Sequence, residues 1–225
     1  MLVTLFDYGA GNLHSLAKAF HAPGVTVRIE EDPARAVDTE LLVLPGVGAF
    51  AAAAERLAPG REAMREAILG GLPCLGICLG MQLLLDGSEE GPGAGLGVIP
   101  GRVERLRARR VPHIGWNSLE DVSDPLLDAA PLDSVYYANG YVCRPEDTST
   151  VIAWSTHEDD RFPAAVRARN ALGVQFHPEK SSAEGVGFLS AVVDWGRRSG
   201  ARLSTSDSPS TSDLRLPTSN PGLPC

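Results

Sequence analysis

An α/β fold, with a mostly parallel central sheet, helices on both faces and a β-rich second half, is predicted by two observations. Up to Leu85, short wholly apolar runs alternate with segments of helical period. After Gly97, further apolar runs follow one another with no long helical segment between them. The chain has 225 residues and is 44% hydrophobic, enough to bury the core of one such domain.

The elements follow in order. Leu2 to Phe6 reads as a strand closed by Asp7-Tyr8-Gly9-Ala10-Gly11-Asn12, after which Leu13, Leu16, Ala17 and Phe20 recur at helical spacing. Val25 to Ile29 and Leu41 to Leu44 read as strands, the latter ending at Pro45-Gly46-Val47-Gly48. Ala49 to Leu69 is helical with a break near Pro59-Gly60, Leu72 to Ile77 is a buried strand, and Leu79 to Leu85 is the helix after it. Gly87 to Gly97 is a loop by composition. Val98 to Leu106, Val135 to Val142, Val151 to Ser155, Ala164 to Ala168 and Leu172 to Phe176 read as strands, and a helix from about Ala183 to Trp195 closes the domain. Residues 1–199 thus form the predicted domain. The Ser/Thr/Pro-rich stretch 200–225 lacks the apolar surface to offset its ordering entropy and is expected to be a disordered tail.

A net charge of -8 argues against nucleic acid or an anionic membrane as partner. No apolar run approaches the roughly 18 residues of a membrane span, and the N-terminus lacks the pattern of a signal peptide. Cys74, Cys78, Cys143 and Cys225 show no paired framework, so a reduced, cytoplasmic setting is expected. Cys74 and Cys78 have no second Cys/His pair to complete a zinc site, so no metal is expected. Neither Gly9-x-Gly11 nor Pro45-Gly46-Val47-Gly48 has the pattern of a phosphate-binding loop. The arginines from Arg102 to Arg110 read as a solvated strand face.

The chemistry concentrates at two segments. Leu75-Gly76-Ile77-Cys78-Leu79-Gly80-Met81-Gln82 sets a cysteine on a sharp strand-to-helix turn, with small residues two before and two after it. At the carboxyl end of a parallel strand, such a thiol faces the site, and the helix N-terminus behind it favours the thiolate and offers N–H groups to an oxyanion. Cys74, inside the strand, reads as core. Phe176-His177-Pro178-Glu179 then supplies an imidazole to move the thiol proton and a carboxylate to orient it. Two apart in an extended segment, His177 and Glu179 are expected to point to one side. The loop Pro45–Gly48 can turn a backbone N–H into the site, so Val47 and Gly48, with the N–H of Leu79, are the expected oxyanion hole.

These residues resemble the class I (triad) glutamine amidotransferases, whose fold is flavodoxin-like. The supporting segments run from residue 2 to about 198: Asp7–Leu13, Leu44–Phe50, Pro73–Leu83, Gly95–Gly101, Pro112–Asn117 and Gly173–Ser181. Within the family, the Asp-Tyr-Gly-Ala-Gly-Asn opening, His113-Ile-Gly-Trp-Asn117 and Lys180-Ser181 look like the branch of glutaminase subunits that serve imidazole glycerol phosphate synthesis. The resemblance implies hydrolysis of glutamine through a Cys78 thioester, with no cofactor. Ammonia would pass to a separate (β/α)8-barrel cyclase subunit. It implies that Gly46, Gln82, Gly140 and Tyr141 bind glutamine, and that Asn12, Trp116, Asn117 and Lys180 lie toward the partner. One departure stands out: Tyr137-Ala-Asn-Gly-Tyr141 falls where many members read Phe-Val-His-Ser-Tyr, so Gly140 removes a hydroxyl. A cysteine peptidase and a non-catalytic interaction subunit are the competing readings. Gln82 and the Pro45–Gly48 loop count against the first, and a complete triad counts against the second.

Overall fold

The computed structural model describes residues 1–9 and 13–205, with side chains described up to residue 199. Its first half alternates as expected: β1 (Leu2–Phe6), α1 (Leu13–Ala19), β2 (Thr26–Glu30), α2 (Pro33–Ala36), β3 (Leu41–Leu44), α3 (Phe50–Leu57), α4 (Arg61–Leu69), β4 (Cys74–Ile77) and α5 (Leu79–Leu83). The break between α3 and α4 is a 3-10 turn at Ala58–Gly60, where Pro59 has no N–H to continue the first helix. The second half holds β5 (Gly87–Ser88), β6 (Gly101–Arg105), β7 (His113–Ser118), α6 (Pro125–Ala129), β8 (Ser134–Asn139), β9 (Tyr141–Pro145), β10 (Val151–His157), β11 (Asp160–Ala168), β12 (Ala171–Val174) and α7 (Ser182–Thr205).

Three expectations change. The single strand expected over Val135 to Val142 is two strands that part at Gly140: β8 pairs with β7, whereas β9 pairs with β6 in another sheet. The closing helix is longer than its apolar pattern indicated and runs to Thr205, across the boundary expected at residue 200. His177 and Glu179 are not on an extended strand. His177 caps a 3-10 turn over Pro178–Lys180. The short helices α2 and α6 escape the apolar pattern, yet each starts at an Asp-Pro pair. Asp32 caps the Ala34 N–H and Asp124 the Leu126 N–H, with a proline in each first turn. Residues 206–225, including Cys225, lie outside the described residues, as do Ala10, Gly11 and Asn12.

The main sheet runs in the order β10-β11-β12-β4-β3-β1-β2 among the described residues. Pairing is parallel from β12 to β2, while β11 and β10 add antiparallel strands at the β12 side. Alternate side chains feed two cores. Val3, Leu5, Leu41, Val43, Leu75 and Ile77 pack beneath α1 and α7 through Leu16, Phe20, Phe188 and Val192. Phe6, Leu42, Leu44 and Cys74 pack on the other face with Phe50, Leu57, Met64, Ile68 and Met81. Burial on both faces is why these strands are apolar throughout rather than alternating. Two smaller sheets, β5-β6-β9 and β7-β8, cover one end.

The order β2-β1-β3 is the switch point of the fold. The chain leaves β1 for one side of the sheet and β3 for the other, opening a crevice above their carboxyl ends. The turn after β4 is drawn tightly against it. A Cβ on Gly80 would lie 1.8 Å from the Leu44 carbonyl oxygen, and one on Gly76 would lie 2.5 Å from the Gly80 carbonyl oxygen. Both neighbours are backbone, so neither can swing aside.

Gly80→Ala is therefore expected to cost ~3 kcal/mol or more. Gly187→Ala, on α7 where an added Cβ meets nothing within 4 Å, is expected to stabilise by about 0.5–1 kcal/mol through helix propensity. Opposite shifts of the melting temperature for these two variants check the assignment.

Candidate active site

Cys78 joins β4 to α5 with φ 52 and ψ -104, a left-handed conformation that non-glycine residues seldom adopt. The strain is held in place from both sides. The Cys78 N–H donates to the Val174 carbonyl at 2.7 Å, and its own carbonyl accepts from the Gln82 N–H at 3.2 Å. The side chain is 5% exposed. Cys74, four residues earlier, is fully buried, and burial pushes its thiol well up in pKa, so it stays a neutral core residue.

The turn at Pro178–Lys180 brings His177 Nδ1 to 2.9 Å from Glu179 Oε1. That turn is fixed by β8 and by Ser181. The His177 N–H donates to the Tyr136 carbonyl at 2.8 Å, and Ser181 Oγ accepts from the Tyr136 N–H at 3.0 Å and donates to the His177 carbonyl at 2.6 Å. His177 Nε2 makes no well-formed hydrogen bond among the described residues, yet Cys78 is close enough to act on the charge of the ring. Burial of His177 opposes its charge, but Cys78 and Glu179 outweigh burial and raise its pKa to about 9. The imidazolium is thus the form of His177 that the site favours.

A contact to the sulfur comes from Gln175, whose Nε2 lies 3.5 Å from Cys78 Sγ. Its Oε1 accepts from Gln82 Nε2 at 3.3 Å, and that same nitrogen donates to the Tyr141 carbonyl at 3.1 Å. Gln175 did not figure among the expected site residues. Its signal was a lone amide inside the apolar run Leu172 to Phe176, two residues before the histidine. Glu90 was also unforeseen. Its carboxylate accepts the Phe50 N–H at 2.9 Å. It lines a cleft with Cys78, Gln82, Asn139, Gly140 and Tyr141, which joins most of the substrate residues that the sequence suggested. A Cβ at Gly140 would meet only Val111 Cγ1 at 3.4 Å and Pro112 Cβ at 3.9 Å. A serine there is accommodated without a backbone clash.

The loop after β3 folds back on the turn that carries Cys78. Gly46 and Gly48 have φ of 132 and 141, accessible only to glycine. The Leu79 N–H, expected to face an oxyanion, instead donates to the Gly46 carbonyl at 3.3 Å. Val47 is 39% exposed and borders both the Cys78 cleft and a second cavity beside His177, Glu179 and Lys180. A groove of about 790 Å³ lies elsewhere, bounded by Asp124, Arg167, Ala191 and Trp195. None of Cys78, His177 and Glu179 lines it.

Of the residues expected to face a partner, Trp116 is 53% exposed, with Ile114 on the same side of β7 at 65%. The Trp116 ring meets Tyr136 edge-on at 6.0 Å, and Lys180 Nζ lies 5.8 Å from the Tyr136 ring centre. Asn117 is committed internally, to the Thr156 carbonyl and the Ser118 N–H at 2.9 Å each. Arg102, Arg105, Arg107, Arg109 and Arg110 are solvent-exposed, and Arg107 and Arg109 pair with Glu104 and Glu158. Among the described residues there is no group of three or more His, Cys, Asp or Glu that could hold a metal, and no helix long and apolar enough to cross a membrane.

The imidazolium is present below about pH 9 and lost above it. Glu179→Gln removes one of the groups that raise this pKa, so the His177 titration midpoint is expected to move down. An NMR titration of the ring protons reads the shift, and an unchanged midpoint contradicts the ion pair.

Comparisons with known proteins point one way. The family model "Glutamine amidotransferase class-I" matches residues 4–190. The chain is 42% identical over 221 residues to the imidazole glycerol phosphate synthase subunit HisH of Salinibacter ruber, covering 91% of this chain and 100% of that one. It is 43% identical over 201 residues to the HisH subunit of Symbiobacterium thermophilum, with 87% and 93% covered. Among solved structures, a glutamine amidotransferase superposes with TM-score 0.64 at 20% identity, covering 85% of this chain and 98% of that one. PurLQS from Thermotoga maritima superposes with TM-score 0.63 at 19% identity, covering 86% and 98%. These two share the fold. With its strained thiol, its histidine–glutamate pair and these relatives, the chain belongs to the class I glutamine amidotransferase family, in the group of HisH subunits.

Proposed function

We propose that this protein hydrolyses glutamine to glutamate and ammonia and passes the ammonia to a separate cyclase subunit that makes imidazole glycerol phosphate. The observation that carries this reading is the strained Cys78 near the His177–Glu179 pair, in a cleft lined by Gln82, Glu90 and the segment 139–141. A glutamine in that cleft meets the groups that its amino-acid end needs. The Glu90 carboxylate suits the α-ammonium, and the Gln82 amide suits the carboxylate.

The Cys78 thiolate attacks the side-chain amide carbon. His177 gives its proton to the departing nitrogen, which leaves as ammonia, and a glutamyl thioester remains. His177 then takes a proton from water, whose oxygen attacks the thioester; glutamate departs and the thiolate is restored. Both tetrahedral adducts carry an oxyanion that needs the N–H groups of Leu79 and Val47. In the resting loop the Leu79 N–H is occupied by Gly46. Turning the Gly46–Val47 peptide over frees Leu79 and swings the Val47 N–H inward, so one peptide both blocks and builds the hole.

The second cavity, bounded by Leu13, Leu16, Ile77 and Val47 with Lys180 at its edge, offers ammonia an apolar way out apart from the glutamine cleft. The exposed Ile114 and Trp116 suit a partner surface beside it. The (β/α)8-barrel cyclase is the partner that fits this reading.

Glutamate release from glutamine is expected to be weak for the purified chain and strongly stimulated by the barrel cyclase with its nucleotide ligand. Vigorous turnover by the chain alone contradicts the blocked loop, and no stimulation moves the protein to another ammonia acceptor. Cys78→Ala is expected to lower glutamine-dependent synthesis roughly a thousandfold or more, leaving ammonia-driven synthesis by the complex intact. Trp116→Ala is expected to weaken association with the cyclase by about 2 kcal/mol, read as a dissociation constant roughly thirtyfold higher.

A further inference from the structure

Tyr8 follows β1 and reaches under the loop after β3. Its ring packs edge-on against Phe6 at 5.7 Å, and its side chain is 4% exposed. Its hydroxyl has no hydrogen-bond partner among the described residues. A buried phenol without a partner is costly and rare, because the group has lost water and gained nothing. Phenylalanine would fill the same space without that cost.

The hydroxyl is aimed at one place. A Cβ on Gly46 would lie 2.7 Å from Tyr8 Oη, with the ring carbons Cε2 and Cζ at 3.0 and 3.2 Å. Tyr8 thus abuts the residue whose carbonyl occupies the Leu79 N–H. That carbonyl has one donor at rest and leaves it when the Gly46–Val47 peptide turns over. A carbonyl released inside a buried crevice needs a new donor.

We propose that Tyr8 is a positioning residue whose hydroxyl is idle in the resting loop and donates to the Gly46 carbonyl once the peptide turns, holding the oxyanion hole open. The two states then each satisfy the carbonyl, through Leu79 at rest and Tyr8 in the active loop. The resting bond is long, at 3.3 Å, and so is easily exchanged. Burial, together with Cys78, Cys74 and Asp7, keeps the phenol pKa well above its ordinary value, so the group remains a donor at every pH where the enzyme works. The inference rests on the proposed glutaminase reaction, and on the turning of the Gly46–Val47 peptide within it.

Tyr8→Phe tests it in the complex with the barrel cyclase and its nucleotide. Loss of a hydrogen bond made only in the active loop is expected to lower the stimulated kcat for glutamine about tenfold, with KM changed by less than about twofold. The melting temperature is expected to hold or rise, because the resting hydroxyl has no bond to lose. Alkylation of Cys78 by iodoacetamide is expected to keep its rate, since the thiol and its histidine are untouched. A lower melting temperature overturns the idle hydroxyl, and an unchanged kcat in the variant, with an active wild type, overturns the catch alone. A wild type inert toward glutamine under the same conditions overturns the glutaminase reading and the catch together.

Discussion

The contact of Gly80 with the Leu44 carbonyl is the constraint on which the rest of this structure depends. With no side chain at residue 80, the first turn of α5 settles directly on the end of β3. Cys78, two residues before that contact, is held at positive φ by its backbone bonds to Val174 and Gln82. The contact also sets the Leu79 amide within reach of Gly46. Cys78, the Leu79 amide and the loop after β3 are thus placed by one backbone approach, and the adjacent strand end at Val174 completes the frame.

Polar groups around that frame divide into two kinds. Those that shape the site are satisfied: Gln82, Gln175 and Ser181 each make two side-chain hydrogen bonds. Tyr8 Oη, Asn139 Oδ1, His177 Nε2 and Glu179 Oε2 are buried without partners. A folded chain tolerates few such atoms. These four, of seven among the described residues, lie at one cleft and one loop, where the proposed reaction places reactants and moving backbone.

Much of this was legible in the chain. The apolar strands, the glycines flanking Cys78 and the His-Pro-Glu each carry a local signal, because a tight turn or a doubly buried strand restricts residue type at the position itself. What the chain did not reveal depends on pairing at a distance. Gly140 divides a run that looks like one strand, since β6 and β7 compete for its two halves. The His177–Glu179 geometry comes from a turn held by Tyr136 and Ser181, not from strand alternation. Glu90 sits in a stretch that reads only as loop, and its place in the cleft follows from capping α3 forty residues earlier in the chain. The state of the Leu79 amide is a matter of conformation, which residue type does not encode.

That occupied amide has a thermodynamic corollary. In the proposed reaction, a compound that mimics the tetrahedral adduct at Cys78 binds only a chain whose Gly46–Val47 peptide has turned, and a partner that favours the turned peptide shares that requirement. Their binding is therefore linked, and each raises the affinity of the other by the same factor. An adduct-mimicking inhibitor of this site would act as a glue between the subunits, tightening the complex that it silences.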